Sequence, residues 1–133
     1  MNGLCPCGAG QAYDDCCGRF HRGEASAPTA DALMRARFTA FAVGDADYLR
    51  ETWHPRTRPT HVTFPEGGRW TRLDVLGRSG GGVFDSEGTV EFEAHFELGG
   101  QLGIERQNSK FVREGRRWFY VSDVPTLSDS TSR

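Results

Sequence analysis

Thr89-Val90-Glu91-Phe92-Glu93-Ala94-His95-Phe96-Glu97-Leu98 is the stretch that decides the fold. Val90, Phe92, Ala94, Phe96 and Leu98 fall on one face, and Glu91, Glu93, His95 and Glu97 on the other. A period of two belongs to a strand with one buried and one solvated side. Gly99-Gly100 follows as a hairpin signal, so Leu102 to Arg113 returns as the next strand. Glu114-Gly115 turns the chain into a last strand, Arg116 to Val124. Upstream, Trp70 to Leu76 reads as a strand ended by Gly80-Gly81-Gly82, and His61-Val62-Thr63-Phe64 as a short one before it.

Before residue 60 the period is helical. Thr29 is placed to cap a helix, with Asp31 complementing its dipole. Ala30, Leu33, Met34, Phe38 and Phe41 share one face, and Gly44 reads as the stop. Asp45 then caps a shorter helix running through Trp53, where Pro55 ends it. Two helices followed by a meander of strands make an α+β domain, the helices packed on one face of an antiparallel sheet. The expected organisation is a cysteine segment over 1–22, a linker of small residues over 23–28, the domain over 29–124 and a disordered Ser/Thr/Asp-rich tail over 125–133.

The first segment carries Cys5-x-Cys7, eight residues, then Cys16-Cys17. Four thiolates around zinc need two chelating pairs joined by a turn, and Gly8 and Gly10 supply one. The rival is a single disulfide between an early and a late cysteine; two bridges across so short a loop are badly strained. The usual C-x-x-C spacing of a redox site is absent. Met1 to Pro6 holds neither a basic nor an apolar run, so the expected compartment is the cytosol, where clustered cysteines hold metal more often than they pair.

Cys5-Pro6-Cys7-Gly8-Ala9-Gly10-Gln11-Ala12-Tyr13-Asp14-Asp15-Cys16-Cys17-Gly18 resembles the SEC-C motif, the zinc tail of the SecA translocation motor. The resemblance implies a structural zinc and a protein partner that docks on the knuckle. Many members use histidine as the fourth ligand; here Cys17 fills that position ahead of His21. Ala32-Leu33-Met34-Arg35-Ala36-Arg37-Phe38, Asp47-Tyr48-Leu49 and Thr52-Trp53-His54-Pro55-Arg56-Thr57-Arg58-Pro59 resemble the bacterial YchJ-like family. So do Val90-Glu91-Phe92 and Ser109-Lys110-Phe111-Val112-Arg113 with Trp118-Phe119-Tyr120. That family implies an NTF2-like domain, a curved sheet wrapped against helices into a cone with a pocket, and is compatible with a homodimer.

Several polar residues fall where a core or pocket belongs. Arg37 sits inside the apolar helix face, either as a structural ion pair or as an anion-binding group in the cone. Glu105 shares a strand face with Gln107, Ser109 and Phe111, which makes it the preferred pocket carboxylate and a candidate partner for Arg37. Trp53, His54 and Arg58 complete the candidate pocket. Their alternative roles are core for Trp53, a cap on the last helix carbonyls for His54 and a surface ion pair for Arg58. Arg35 is expected in solvent or against the zinc segment. No carboxylate dyad, Ser-His-Asp order or phosphate loop is present, so the reading favours a non-enzymatic adaptor with a structural Zn2+ over an enzyme or small-molecule binder. The 133-residue chain carries a net charge of −2 and Lys110 as its only lysine, which gives no pull toward nucleic acid or a membrane surface.

Overall fold

A computed structural model describes residues 4–64 and 68–124 of the chain. The tail expected to be disordered, 125–133, lies outside the described residues. The first elements are a 3-10 turn, Tyr13–Asp15, and a five-residue helix α1, Cys17–His21. α2 spans Ala30–Val43 and α3 Ala46–Glu51. Four strands follow: β1 (Gly68–Gly80), β2 (Glu87–Leu98), β3 (Gln101–Glu114) and β4 (Arg117–Val124). They pair antiparallel in the order β1-β2-β3-β4, the α+β arrangement that the sequence implied.

Local chemistry sets the helix ends. The Thr29 hydroxyl accepts the Ala32 amide at 3.0 Å and the Asp45 carboxylate accepts that of Tyr48 at 3.0 Å. Gly44 closes α2 in the left-handed region. The hairpin between β2 and β3 turns on Gly99 and Gly100, whose φ values of 60° and 82° match a two-residue turn with positive φ at both positions.

Two expectations are corrected. The short helix ends at Glu51 rather than Trp53, because the backbone on either side of Trp53 is taken by β4: the Tyr120 amide donates to Thr52 at 2.8 Å, and the His54 amide donates to Tyr120 at 2.7 Å. His61 to Phe64 form no strand. A strand needs a ladder partner, and among the described residues β1 pairs with β2 alone; Phe64 instead sets its ring edge-on to Phe41, centroids 6.1 Å apart.

The inner sheet face carries Leu73, Val90, Phe92, Ala94, Phe111 and Trp118, all buried, and α2 packs against it. Leu33, Leu49 and Phe111 are almost wholly buried, each contributing about 1.5–3 kcal/mol of transfer free energy. The outer face is laced with ion pairs, among them Arg106–Glu91 at 2.9 Å and Arg69–Glu97 at 2.7 Å. Register shifts in β1 at Trp70/Arg72 and Val75/Gly77, and between β3 and β4 at Lys110/Phe111, add local twist.

α2 is buried on two sides. Leu33, Met34, Arg37 and Phe38 serve the sheet side, whereas Ala36, Thr39 and Ala40, all at 0% exposure, form a second stripe of small residues. Packing α1 and the cysteine segment on that stripe makes α2 the central layer of the molecule. No described helix is long and apolar enough to cross a membrane.

Candidate metal centre and cavity

The cysteine segment closes on itself through the Leu4–Ala12 bridge and the Cys5 amide donating to Gln11 at 2.7 Å. Gly8 and Gly10 take φ values of 84° and 87°, a course closed to most side chains, and so swing Cys7 back toward Cys16. All four cysteines are buried free thiols. Their sulfur atoms lie within 4.8 Å of one another, with Cys7 Sγ 3.6 Å from Cys16 Sγ. Tetrahedral metal–thiolate bonds of about 2.3 Å place sulfurs about 3.8 Å apart, so the set fits a metal ion without rearrangement.

The protonation states point the same way. Hydrogen bonds from Cys17 and then Cys7 hold the Cys5 thiol far below its ordinary value. A hydrogen bond with Cys17 pulls Cys7 down, but the bond to Cys5 and burial prevail and push it up to about 12. Cys17 is pushed up strongly by its hydrogen bonds to Cys5 and Cys7 and by burial. Cys5 is thus easy to ionise while Cys7 and Cys17 are costly, as expected of buried like charges; a divalent cation removes that penalty.

The knuckle is fastened to α2 at several points. Thr39 donates its hydroxyl to Cys17 Sγ at 3.4 Å and lies 3.6 Å from Cys5 Sγ. Arg35 meets the cysteine segment, as one of its two expected roles had it, donating from Nη1 to the Cys7 carbonyl at 3.0 Å. His21 is held away from the sulfurs. Its Nε2 donates to the Ala36 carbonyl at 2.9 Å and its Nδ1 pairs with the Tyr13 hydroxyl at 2.7 Å, so both ring nitrogens are spent.

The second feature is a cavity of about 260 Å³ between α2 and the inner sheet face, walled by Met34, Phe38, Phe41, Trp70 and Phe92. Arg37, Trp53 and Glu105 line it; His54 and Arg58 do not. His54 joins two elements instead: Nε2 donates to Glu114 at 2.8 Å, and Nδ1 accepts the Arg56 amide at 3.1 Å. Arg58 donates from Nε to the Trp53 carbonyl at 3.0 Å, fixing the loop rather than pairing with an acid.

Arg37 is only 4% exposed and meets no carboxylate among the described residues. The expected pairing with Glu105 is therefore corrected: Glu105 lies at the exposed end of the face and accepts from Gln107. Arg37 Nη1 donates to the Leu49 carbonyl and the Thr52 hydroxyl, each at 2.8 Å. Its guanidinium carbon lies 4.5 Å from the Tyr120 ring centroid and 5.0 Å from that of Trp53, so aromatic faces offset part of the lost hydration. Burial lowers its pKa to about 10, which leaves it charged at neutral pH. Beside it, Asp123 Oδ1 accepts from the hydroxyls of Ser109 at 2.8 Å and Tyr120 at 2.9 Å. Burial raises the Tyr120 phenol, which keeps it a donor. The Ser109–Tyr120–Asp123 network was missed from sequence, although Ser109 was placed on the right face by strand parity.

Fold and site together define an NTF2-like protein with an N-terminal cysteine motif able to hold a metal. The chain belongs to the YchJ family: residues 29–123 match the family's profile, described as YchJ, middle NTF2-like domain. Residues 1–19 match the SEC-C motif. A UPF0225 protein of Corynebacterium glutamicum is 50% identical over 120 residues, covering 90% of this chain and 95% of that one. A UPF0225 protein of Streptomyces coelicolor is 50% identical over 117 residues, covering 88% and 91%. The solution structure of a SEC-C motif containing protein from Rhodopseudomonas palustris is 36% identical, with a TM-score of 0.78 over 95% of this chain and 99% of that one. A crystal structure of a SEC-C motif containing protein from Psychrobacter arcticus shares the fold, at a TM-score of 0.73 over 92% and 84% of the two chains and 23% identity.

Proposed function

We propose that this chain is a zinc-stapled small-molecule binding protein. Its metal is structural, and its working site is the cavity under α2. Zinc is the ion that suits four thiolates in a closed tetrahedral set, since every position is filled by protein and none is left for substrate. The cysteines face α2 rather than solvent, so the ion holds the knuckle to the body. The observation that carries the binding reading is the cavity itself: aromatic and aliphatic walls border about 260 Å³ that the core does not fill. That is slightly below the roughly 300–1,000 Å³ of common ligand sites, so the occupant is small, one ring or a short chain.

A neutral amphiphile, 3-phenylpropanol, is expected to bind saturably and to perturb Trp53 and Trp70 fluorescence. Ala94→Leu, which extends a buried lining residue into the space, is expected to abolish that binding while the protein stays folded. No saturable binding to the folded protein, or binding indifferent to Ala94→Leu, would sink the reading.

The staple has its own test. Thr39→Val keeps the shape of the side chain and removes the hydroxyl that meets two ligand sulfurs, so zinc affinity should fall about tenfold. Competition with a chromogenic chelator measures this; an unchanged affinity would show that the hydroxyl does not tune the sulfurs. A second reading, a knuckle that docks a protein partner, is favoured by Leu4, which is 71% exposed on the knuckle surface. In a cytosolic extract, a specific partner should be lost with Leu4→Asp while zinc is retained; identical captures by both proteins would count against it.

A further inference from the structure

The geometry points to a monocarboxylate with a compact apolar body as the ligand of the cavity, held by the free edge of Arg37. This deepens the binding reading above and rests on it. Arg37 offers five N–H donors, and Nη1 spends its two on the Leu49 carbonyl and the Thr52 hydroxyl. The Nε–H and the Nη2 hydrogens have no protein acceptor among the described residues, yet they belong to a side chain that is 4% exposed and lines the cavity. Nε–H and one Nη2–H form a planar fork that matches the two oxygens of a carboxylate side-on. Trp53 and Tyr120 hold the plane of that fork, their ring centroids 5.0 and 4.5 Å from the guanidinium carbon. A buried charge that lines a cavity with three of its five donors unspent is a recognition device that lacks its partner.

The surroundings select the charge of that partner. Asp123 and Glu105 also line the cavity, so with Arg37 they bring one positive and two negative groups. The repulsion from those two carboxylates grows with each charge on the ligand, and Arg37 is the one cation among the described lining residues to offset it, so the second charge of a phosphate monoester finds no counter-charge there. A monoanion is neutralised by Arg37, and Asp123 has already taken up the Ser109 and Tyr120 hydroxyls on Oδ1. The rest of the ligand meets Met34, Phe38, Phe41, Trp70 and Phe92, which reward apolar bulk.

Three probes of one shape separate the possibilities: 3-phenylpropionate, its neutral amide and phenyl phosphate, titrated by calorimetry against the intact zinc-loaded protein. The carboxylate should bind about ten- to a hundredfold tighter than the amide, the range of a charge-assisted hydrogen-bond pair. Arg37→Met should erase that ratio, so that carboxylate and amide bind alike. Arg37→Lys keeps the charge without the fork and should recover only part of the ratio. Equal affinity for carboxylate and amide would overturn the inference and leave the cavity reading standing. Tighter binding of phenyl phosphate would overturn the carboxylate class, and failure of every probe, 3-phenylpropanol included, would remove the cavity reading and this inference together. Because the carboxylate-to-amide ratio is read on the unaltered protein, it stands even if an Arg37 variant folds poorly.

Discussion

Under the proposed zinc staple, Cys17→Ser is expected to abolish metal binding and to lower the unfolding midpoint by at least about 10 °C, on a scale of about 2–8 °C per kcal/mol for domains spanning this size. Serine is a poor zinc ligand, and three thiolates leave the site open. The loss is large because the knuckle has little core of its own: among the described residues, its apolar contacts apart from the four cysteines are Tyr13 and Phe20 packed at the margin. Structural zinc contributes about 10–16 kcal/mol of apparent binding free energy in zinc-finger peptides, comparable with the whole stability of a domain. Release of the ion also uncovers the Ala36, Thr39 and Ala40 stripe on α2, so the damage reaches the body. Chelator-treated native protein and the variant should unfold at the same temperature, and the variant should ignore chelator. Unchanged zinc content and an unchanged melt would show that Cys17 is not a ligand.

The second large effect is expected at Phe111. Its side chain is wholly buried on the inner face of β3, 5.9 Å by ring centroids from Tyr120, at the break in register between β3 and β4. Phe111→Ala leaves a cavity beneath the residue that roofs Arg37, and should cost about 3–5 kcal/mol in chemical denaturation. Phe84 provides the control, because at 94% exposure its truncation should cost less than about 0.5 kcal/mol. Similar costs at the two positions would mean that Phe111 is not part of the core described here.

What the sequence made legible was what local chemistry determines. The Thr29 cap, the Gly44 stop and the β2 alternation each depend on a few neighbouring residues, and each stands where it was expected. Strand parity likewise placed Glu105, Gln107 and Ser109 on the cavity face. Tertiary contacts were less visible. His61 to Phe64 have strand-forming residues but no partner in the sheet, and the short helix stops early because β4 takes the backbone around Trp53. Parity gives a face and not a depth, so Glu105 could be aligned with Arg37 while lying too near the open end to reach it. The knuckle's seat was written in the spacing of Ala36, Thr39 and Ala40, small residues one turn apart that let a second layer approach the helix. Their apolar neighbours drew attention to the other side of α2 instead. The acceptors of Arg37, a carbonyl on α3 and the Thr52 hydroxyl just past its end, depend on how two helices cross, which no linear pattern reveals.

In the proposed staple, a closed site of four thiolates holds the knuckle to α2. Zinc K-edge absorption on the purified protein measures this most directly. The predicted result is one zinc per chain with four sulfur neighbours at about 2.3 Å and no nitrogen shell. A nitrogen neighbour would place His21 on the metal against the geometry described, and protein isolated without metal, with its cysteines oxidised, would contradict the staple altogether.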